Sequence, residues 1–309
     1  MGMTTKKRFL CVAAVAAGIM TVGVGVAHAD DIYVSNFGNA TIEKFTPNGT
    51  GSTFATDPGT GQVLNDPTGL AFDSAGNLYV ANQSSTIEKF TSGGVASRFV
   101  STAISNPGGL TFDSAGNLFV ANAGNNTIEK FTPGGNGSVF ANAFAGINGP
   151  EGLAFDSSGN LYVANGNSNS IEKFTPSGVG SVFATTGVSG PTGLAFDHQG
   201  NLYVANAQSK TIQEFTPAGI GTLFASTGSN EPLGLVFDSS DNLYAVFTSN
   251  STIEEFAPDG HATLFASTNL NEPIFIAVQA PEPASLALMC MGALAIMSRR
   301  LRRCLAERS

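Results

Sequence analysis

The sequence predicts an all-β fold: a six-bladed β-propeller of four-stranded blades, flanked by a signal peptide and a short C-terminal hydrophobic helix. A motif returns about every 40 residues, each return holds four strand-length segments, and the two ends of the repeat region are complementary halves of one unit. A period of this size with strand-like content marks a propeller or a solenoid, and complementary ends belong to a ring that closes.

The motif is Pro-x-Gly-Leu-Ala-Phe-Asp-x-x-Gly-Asn-Leu-Tyr-Val-Ala-Asn. Its prolines are Pro67, Pro107, Pro150, Pro191 and Pro232, with a degenerate sixth at Pro273, spaced 40, 43, 41, 41 and 41 residues apart. In the second unit the expected strands are Gly69–Asp73, Asn77–Asn82, Thr86–Thr91 and Ala96–Val100. Asp73 to Asn77 forms a turn, because an Asp side chain caps backbone amides and Gly76 accepts positive φ. Thr91-Ser92-Gly93-Gly94 forms a second turn, with relatives at Thr46-Pro47-Asn48-Gly49 and Thr132-Pro133-Gly134-Gly135. Four antiparallel strands per repeat make a propeller blade.

Phenylalanine follows the same period. Of the 23 Phe, five precede the turn Asp, six close the Ile-Glu-Lys-Phe strand and six lie on the last strand. With no Trp in the chain, these rings are expected to fill the space between blades, each burying roughly 150 Å² or more.

The ends set the blade count. Asp31-Ile32-Tyr33-Val34-Ser35-Asn36 starts in mid-repeat without an inner strand, and Pro273 to Gln279 is an inner strand with nothing after it. Joined, they complete a sixth blade and remove the open sheet edges of a solenoid.

Composition divides the 309 residues into 1–29, 30–280 and 281–309. Residues 1–29 read as a signal peptide: Lys6, Lys7 and Arg8, an apolar run from Phe9 to Val26, and small residues Ala27 and Ala29 at a cleavage site before Asp30. In 281–309, Pro281-Glu282-Pro283 precedes an uncharged run, Ala284 to Met297, and then Arg299, Arg300, Arg302 and Arg303. Fourteen residues make a helix of roughly 21 Å, short of the ~30 Å hydrocarbon core, which suits transient membrane association. The arginines should stay cytoplasmic.

This tail resembles the PEP-CTERM sorting signal of Gram-negative bacteria, departing from it in Cys290 and in the long ending Cys304 to Ser309. The resemblance implies handling by signal peptidase and an exosortase-type enzyme. It further implies export across the inner membrane to the cell surface or an extracellular matrix, with transient or retained C-terminal anchoring.

The middle carries no cysteine, since Cys11, Cys290 and Cys304 all lie outside it. Disulfides, thiol catalysis and Cys-ligated zinc are excluded there. Residues 30–280 hold 6 basic against 21 acidic residues, a net charge of -15, which disfavours nucleic acid as a partner.

Gly116-Asn117-Leu118-Phe119-Val120 followed by Ala121 to Phe131 resembles the NHL repeat, and the resemblance covers nearly all of 31–280. The family pattern usually has Asp where this chain has Asn36, Asn82, Asn122, Asn165 and Asn206, and an Arg where it has Thr or Ser. The resemblance implies the propeller fold and leaves chemistry open, because members bind proteins, sugars or RNA and relatives include lactonases and lyases.

Propeller ligands commonly sit on the face where inner strands begin. Just before the repeated prolines stand Asp66, Asn106, Gly149, Gly190, Glu231 and Glu272, and Glu151 follows Pro150. Asp66, Asn106, Glu151, Glu231 and Glu272, with Phe247 breaking the Asn series, are the candidate channel-mouth binding residues. Their carboxylates could take a cation or a sugar, although capping turns and keeping the rim soluble explains these positions better. No specific motif supports Ca²⁺, and no metal ligands, catalytic residues or cofactor are assigned. His198 and His261 should lie on the opposite face. The insertion Thr56–Asp66 lengthens one Phe-to-Pro step by five residues over the usual eight.

Channel-side positions look nearly uniform around the ring. The expected function is therefore a non-enzymatic binding or scaffold propeller for an unknown extracellular protein or polysaccharide. The alternative is a metal-assisted lactonase or lyase of the gluconolactonase-like kind. Truncation after Ala280 is expected to change surface retention in the native host, measured by fractionation against the full-length chain.

Overall fold

Period-2 apolar alternation between Gly- and Asp-containing turns makes short antiparallel strands, and the chain contains 24 of them among its described residues. A computed structural model describes residues 30–57 and 63–279. The expectations for Ala27, Ala29, Pro281, Glu282, Pro283, Arg299, Arg300, Arg302 and Arg303, for the C-terminal helix and for the centre of the Thr56–Asp66 insertion lie outside the described residues.

Six four-stranded sheets follow one another around an axis. Blade 1 joins β24 (Pro273–Gln279) to β1 (Asp31–Asn36), β2 (Thr41–Phe45) and β3 (Gly51–Thr56). Blade 2 is β4 (Pro67–Phe72), β5 (Leu78–Asn82), β6 (Thr86–Phe90) and β7 (Ala96–Val100). Blade 3 is β8 (Pro107–Phe112), β9 (Leu118–Asn122), β10 (Thr127–Phe131) and β11 (Gly137–Ala141). Blade 4 is β12 (Pro150–Phe155), β13 (Leu161–Asn165), β14 (Ser170–Phe174) and β15 (Gly180–Ala184). Blade 5 is β16 (Pro191–Phe196), β17 (Leu202–Asn206), β18 (Thr211–Phe215) and β19 (Gly221–Ser226). Blade 6 is β20 (Pro232–Phe237), β21 (Leu243–Phe247), β22 (Thr252–Phe256) and β23 (Ala262–Ala266).

The two ends close the ring as expected. β24 pairs antiparallel with β1, with Ile32 opposite Val278 and Val34 opposite Ile276. Inner strands start at the proline, two residues earlier than the pattern suggested. Their register slips between Pro67 and Leu70, and at the corresponding places in the other blades. Such bulges add twist at the axis and let a residue without an amide proton begin the strand.

Aromatic rings fill the wedge between blades. Tyr162 of blade 4 meets Phe183 of its own outer strand at 4.9 Å and Phe196 of blade 5 at 5.0 Å, both edge-on. Tyr33, Tyr79, Phe119 and Tyr203 repeat the arrangement. A second contact links each outer-strand Phe to the third strand of the next blade, Phe140 to Phe174 at 5.9 Å for instance. It runs round the whole ring, returning from Phe265 to Phe45. Edge-on pairs add about 0.5–1.5 kcal/mol each beyond their buried area.

At the axis the inner strands approach too closely for side chains. A Cβ on Gly109 would stand 2.7 Å from the Glu151 carbonyl oxygen, and one on Gly234 would stand 2.9 Å from that of Ile274. Gly69, Gly152 and Gly193 face neighbouring backbone in the same way. The repeated glycine is thus a packing requirement of ring closure. Phe174 is fully buried in this interblade wedge, so Phe174→Ala is expected to cost about 3–5 kcal/mol, measured by thermal or urea unfolding.

Candidate active site

The mouth is built by the linkers that lead into each inner strand. The residue before the proline lies in the left-handed region in five blades: Asp66, Asn106, Gly149, Gly190 and Glu272 have φ of 48, 46, 61, 58 and 48°. Gly, Asn and Asp tolerate this conformation best. Their carbonyls accept amides from the loop after the second strand, as Gly149 does from Gly166 at 2.8 Å. These positions serve the turn first.

The asparagine ending each second strand clamps the same linker. Asn165 Nδ2 donates to the Gly146 carbonyl at 2.9 Å, and its Oδ1 accepts the Asn148 amide at 3.1 Å. Asn36, Asn82, Asn122 and Asn206 make the same two bonds in their blades. All five are buried, so each clamp pairs groups that would be costly to leave unmet. In blade 6 the position is Phe247, and Thr227 instead holds the linker, its hydroxyl donating to the Asn230 carbonyl at 2.6 Å.

Glu151 departs from the symmetry. It lies on β12, one residue inside the mouth, where the other blades have Thr68, Gly108, Thr192, Leu233 and Ile274. Its side chain runs past Gly166 and ends with Oε2 beside Gly108; a Cβ on either glycine would sit 3.4 Å from it. Gly166 occupies a position that is Phe37, Gln83, Ala123, Ala207 or Thr248 elsewhere. Two small residues thus leave room around one carboxylate. Glu151 keeps part of its surface open, yet desolvation by the crowding protein atoms pushes its carboxyl up to about 7. Such a group exchanges its proton near neutrality and suits general acid–base work.

Beneath it the inner strands of all six blades enclose a cavity of about 320 Å³. Leucines 70, 110, 153, 194 and 235 line it, with Ile276 in the closing blade. Phe275 also lines it, at the place where the other five blades carry the axial glycine. Blade 1 stands opposite blade 4 in the ring, so an aromatic residue belongs to the side across from Glu151. The hydroxyls of Thr68 and Thr192 donate to the Pro107 carbonyl at 2.8 Å and the Leu233 carbonyl at 3.1 Å, which commits them to joining blades. The near-uniform channel therefore has two departures: Glu151, which the sequence already sets apart, and Phe275, which it does not. The second had no signal beyond a missing Gly in the most degenerate motif.

The remaining candidates do not gather around Glu151. Asn106, Glu231 and Glu272 are exposed on the rim and Asp66 is partly so. Glu272 Oε2 lies beside Gly38 of the neighbouring loop. Phe247 is corrected: it is fully buried among Phe256, Leu243 and Ala245 and does not reach the mouth, because a second-strand residue at this place points into the blade. Among the described residues no three His, Cys, Asp or Glu side chains are placed to hold a metal ion. His198 lies in a turn on the far face, its Nδ1 2.5 Å from Asp241 Oδ1.

Against known proteins, the family model described as the virginiamycin B lyase family matches residues 10–296. Among solved structures, a nidogen/laminin complex aligns with a TM-score of 0.72 at 20% identity, over 82% of this chain and 99% of that one. A catalytically inactive virginiamycin B lyase from Staphylococcus aureus with quinupristin aligns at 0.62 and 18% identity, over 83% and 94% of the two chains. A gluconolactonase from Xanthomonas campestris gives 0.59 and 19%, over 70% and 84%. At these identities the structures share the fold. No curated protein matches the sequence.

The expectation of a non-enzymatic propeller is corrected by this match: the family is named for a lyase, and the similar folds include virginiamycin B lyases and gluconolactonases. Near-identical blades hide the site because its departures are few, Glu151, Gly108, Gly166 and Phe275 among them. Asn165→Ala, which unties the linker into the Glu151 strand, is expected to cost about 1–3 kcal/mol and to speed hydrogen exchange at Asn148.

Proposed function

The chain belongs to the virginiamycin B lyase family, and from that premise we propose that it is an enzyme that opens a cyclic ester, with Glu151 as the general base at the channel mouth. The single observation carrying this reading is a carboxylate at the channel mouth, flanked by two glycines, whose burial pushes its titration up to about 7. Elimination suits such a site. Glu151 takes a proton from the carbon adjacent to a carbonyl, the electron pair becomes a carbon–carbon double bond, and the C–O bond to the ester oxygen breaks. The leaving group is a carboxylate, stable without protonation. One base then accounts for the proton, while the charge developing on the neighbouring carbonyl oxygen needs a hydrogen-bond donor or cation.

Names of similar structures point to the same substrate class, since one was solved with quinupristin and another is a gluconolactonase. An acidic rim of Asp66, Glu231 and Glu272 favours a neutral or cationic molecule. The described donor set does not fit a metal, and no step is assigned to one. The residues at 1–29 and 281–309 support export and PEP-CTERM-type sorting, with the NHL-like propeller as the delivered cargo.

Incubation with cyclic esters such as quinupristin tests the reading by mass spectrometry. Elimination gives a linear product of unchanged mass, whereas hydrolysis adds one water. Glu151→Gln is expected to lower kcat by about 100-fold or more without loss of thermal stability, because an amide is cheaper to bury than a carboxylate. In the native enzyme kcat/KM should rise with pH through about 7, as the base loses its proton. Full activity in Glu151→Gln would remove this residue from the mechanism.

A further inference from the structure

On the face away from the mouth, four blades hold an ammonium group in the same place. Lys44, Lys89, Lys130 and Lys173 stand 5.0–5.5 Å over Tyr33, Tyr79, Phe119 and Tyr162. They pair with Asp31, Asp73, Asp113 and Asp156 at 2.7, 3.4, 3.3 and 3.7 Å. Blades 5 and 6 invert the charge: the same strand position is Glu214 and Glu255, facing Tyr203 and Tyr244.

A further carboxylate joins each of these two sites from the next blade. Asp241 and Asp30 occupy the turn position that is Gly76, Gly116, Gly159 and Gly200 elsewhere. They accept the amides of His198 at 3.1 Å and Ser239 at 2.5 Å. At the junction of blades 5 and 6 the His198 ring bonds the added carboxylate. At the junction of blades 6 and 1, Ser239 stands in that place. Asp30 Oδ1 then has no partner although the residue is only 5% exposed. Desolvation, and after it the charges of Glu255, Asp238 and Asp30, push the Tyr244 phenol far above its usual range.

We propose that the seam between blades 6 and 1 binds a primary ammonium group at the unpartnered Asp30 carboxylate, beside Tyr244, Asp238 and Glu255. The ligand class follows from the molecule's own templates, an ammonium over an aromatic ring in four blades and an imidazole at the fifth junction. A divalent metal matches less well, because among the described residues no three carboxylates or histidines are placed to hold one. Two sources offer this chemistry. One is the α-amine of Asp30, released by cleavage after Ala29, which rests on the proposed export; it is attached to the same Cα as the unpartnered carboxylate. The other is an external amine such as a lysine side chain.

The probe is ethylammonium chloride against sodium chloride at equal ionic strength, read as the thermal midpoint. The full chain is expected to gain several degrees from ethylammonium alone. Glu255→Lys, which rebuilds the lysine site of blades 1–4, should raise the midpoint without amine and abolish the response. Glu255→Gln should weaken the response while the fold is retained. In exported protein whose N-terminus is Asp30 by mass spectrometry, insensitivity to ethylammonium that acetylation of the α-amine reverses assigns the internal source. A response equal to that of the full chain assigns the external one. The site is overturned by a full chain that responds no more than to sodium chloride, by an undiminished response in either variant, or by stabilisation from calcium chloride but not ethylammonium. Cleavage elsewhere than after Ala29 overturns the internal source only. Glu151 chemistry, on the opposite face, is independent of every one of these outcomes.

Discussion

Everything in this molecule depends on how closely six inner strands can approach one axis. Gly69, Gly109, Gly152, Gly193 and Gly234 allow backbone to meet backbone there, and the aromatic wedges hold the outer parts of the blades apart. The two effects together give each blade its angle. Closure then follows when β24 finds β1, because the last interval is the same as the others and only a strand from the far end of the chain can fill it. The outer-strand phenylalanine contacts cross this seam without a break. The Tyr–Phe contacts do not, since Val278 takes the place of a sixth phenylalanine next to Tyr244.

A scaffold of repeated units separates maintenance from chemistry. Residues repeated in five of the six blades do the same structural work in each: Asp73 and its relatives receive turn amides, and the buried asparagines tie linkers to strands. Distinct behaviour needs a departure from the pattern. On the mouth side the departures are Glu151, Gly108, Gly166 and Phe275. On the far side they are Glu214, Glu255, Asp241 and Asp30, which turn a lysine-bearing position acidic in two consecutive blades. On the far side the Asp30 carboxylate is buried with one oxygen unpartnered, a costly arrangement unless a proton or a ligand meets the charge.

Much of the architecture was readable from one chain, because its signals are local. Strand alternation, Asp-x-x-Gly turns and the spacing of prolines depend on residues a few positions apart, and complementary ends need only counting. The inner strands began earlier than expected because a bulge lets Pro67 and its relatives join the sheet. Glu151 was visible as a charged residue where its counterparts are not. Phe247 was misplaced, since a broken Asn series marks where a side chain sits in the repeat and not which way it points. Phe275 stands inside the most degenerate motif, where a missing Gly carries little signal. A single carboxylate is compatible with several chemistries, so the residues of the repeat alone do not select one.

By itself the sequence determined six blades, a ring closed by its two ends, an acidic cysteine-free middle and two basic flanks, all properties of order and composition along one chain. Tertiary structure alone decided which departures meet. Glu151 is desolvated by a strand that lies some forty residues earlier in the sequence, and Asp30 is buried against Ser239 from the far end of the propeller. Burial and charge depend on neighbours in space, and in a closed ring those neighbours come from other blades.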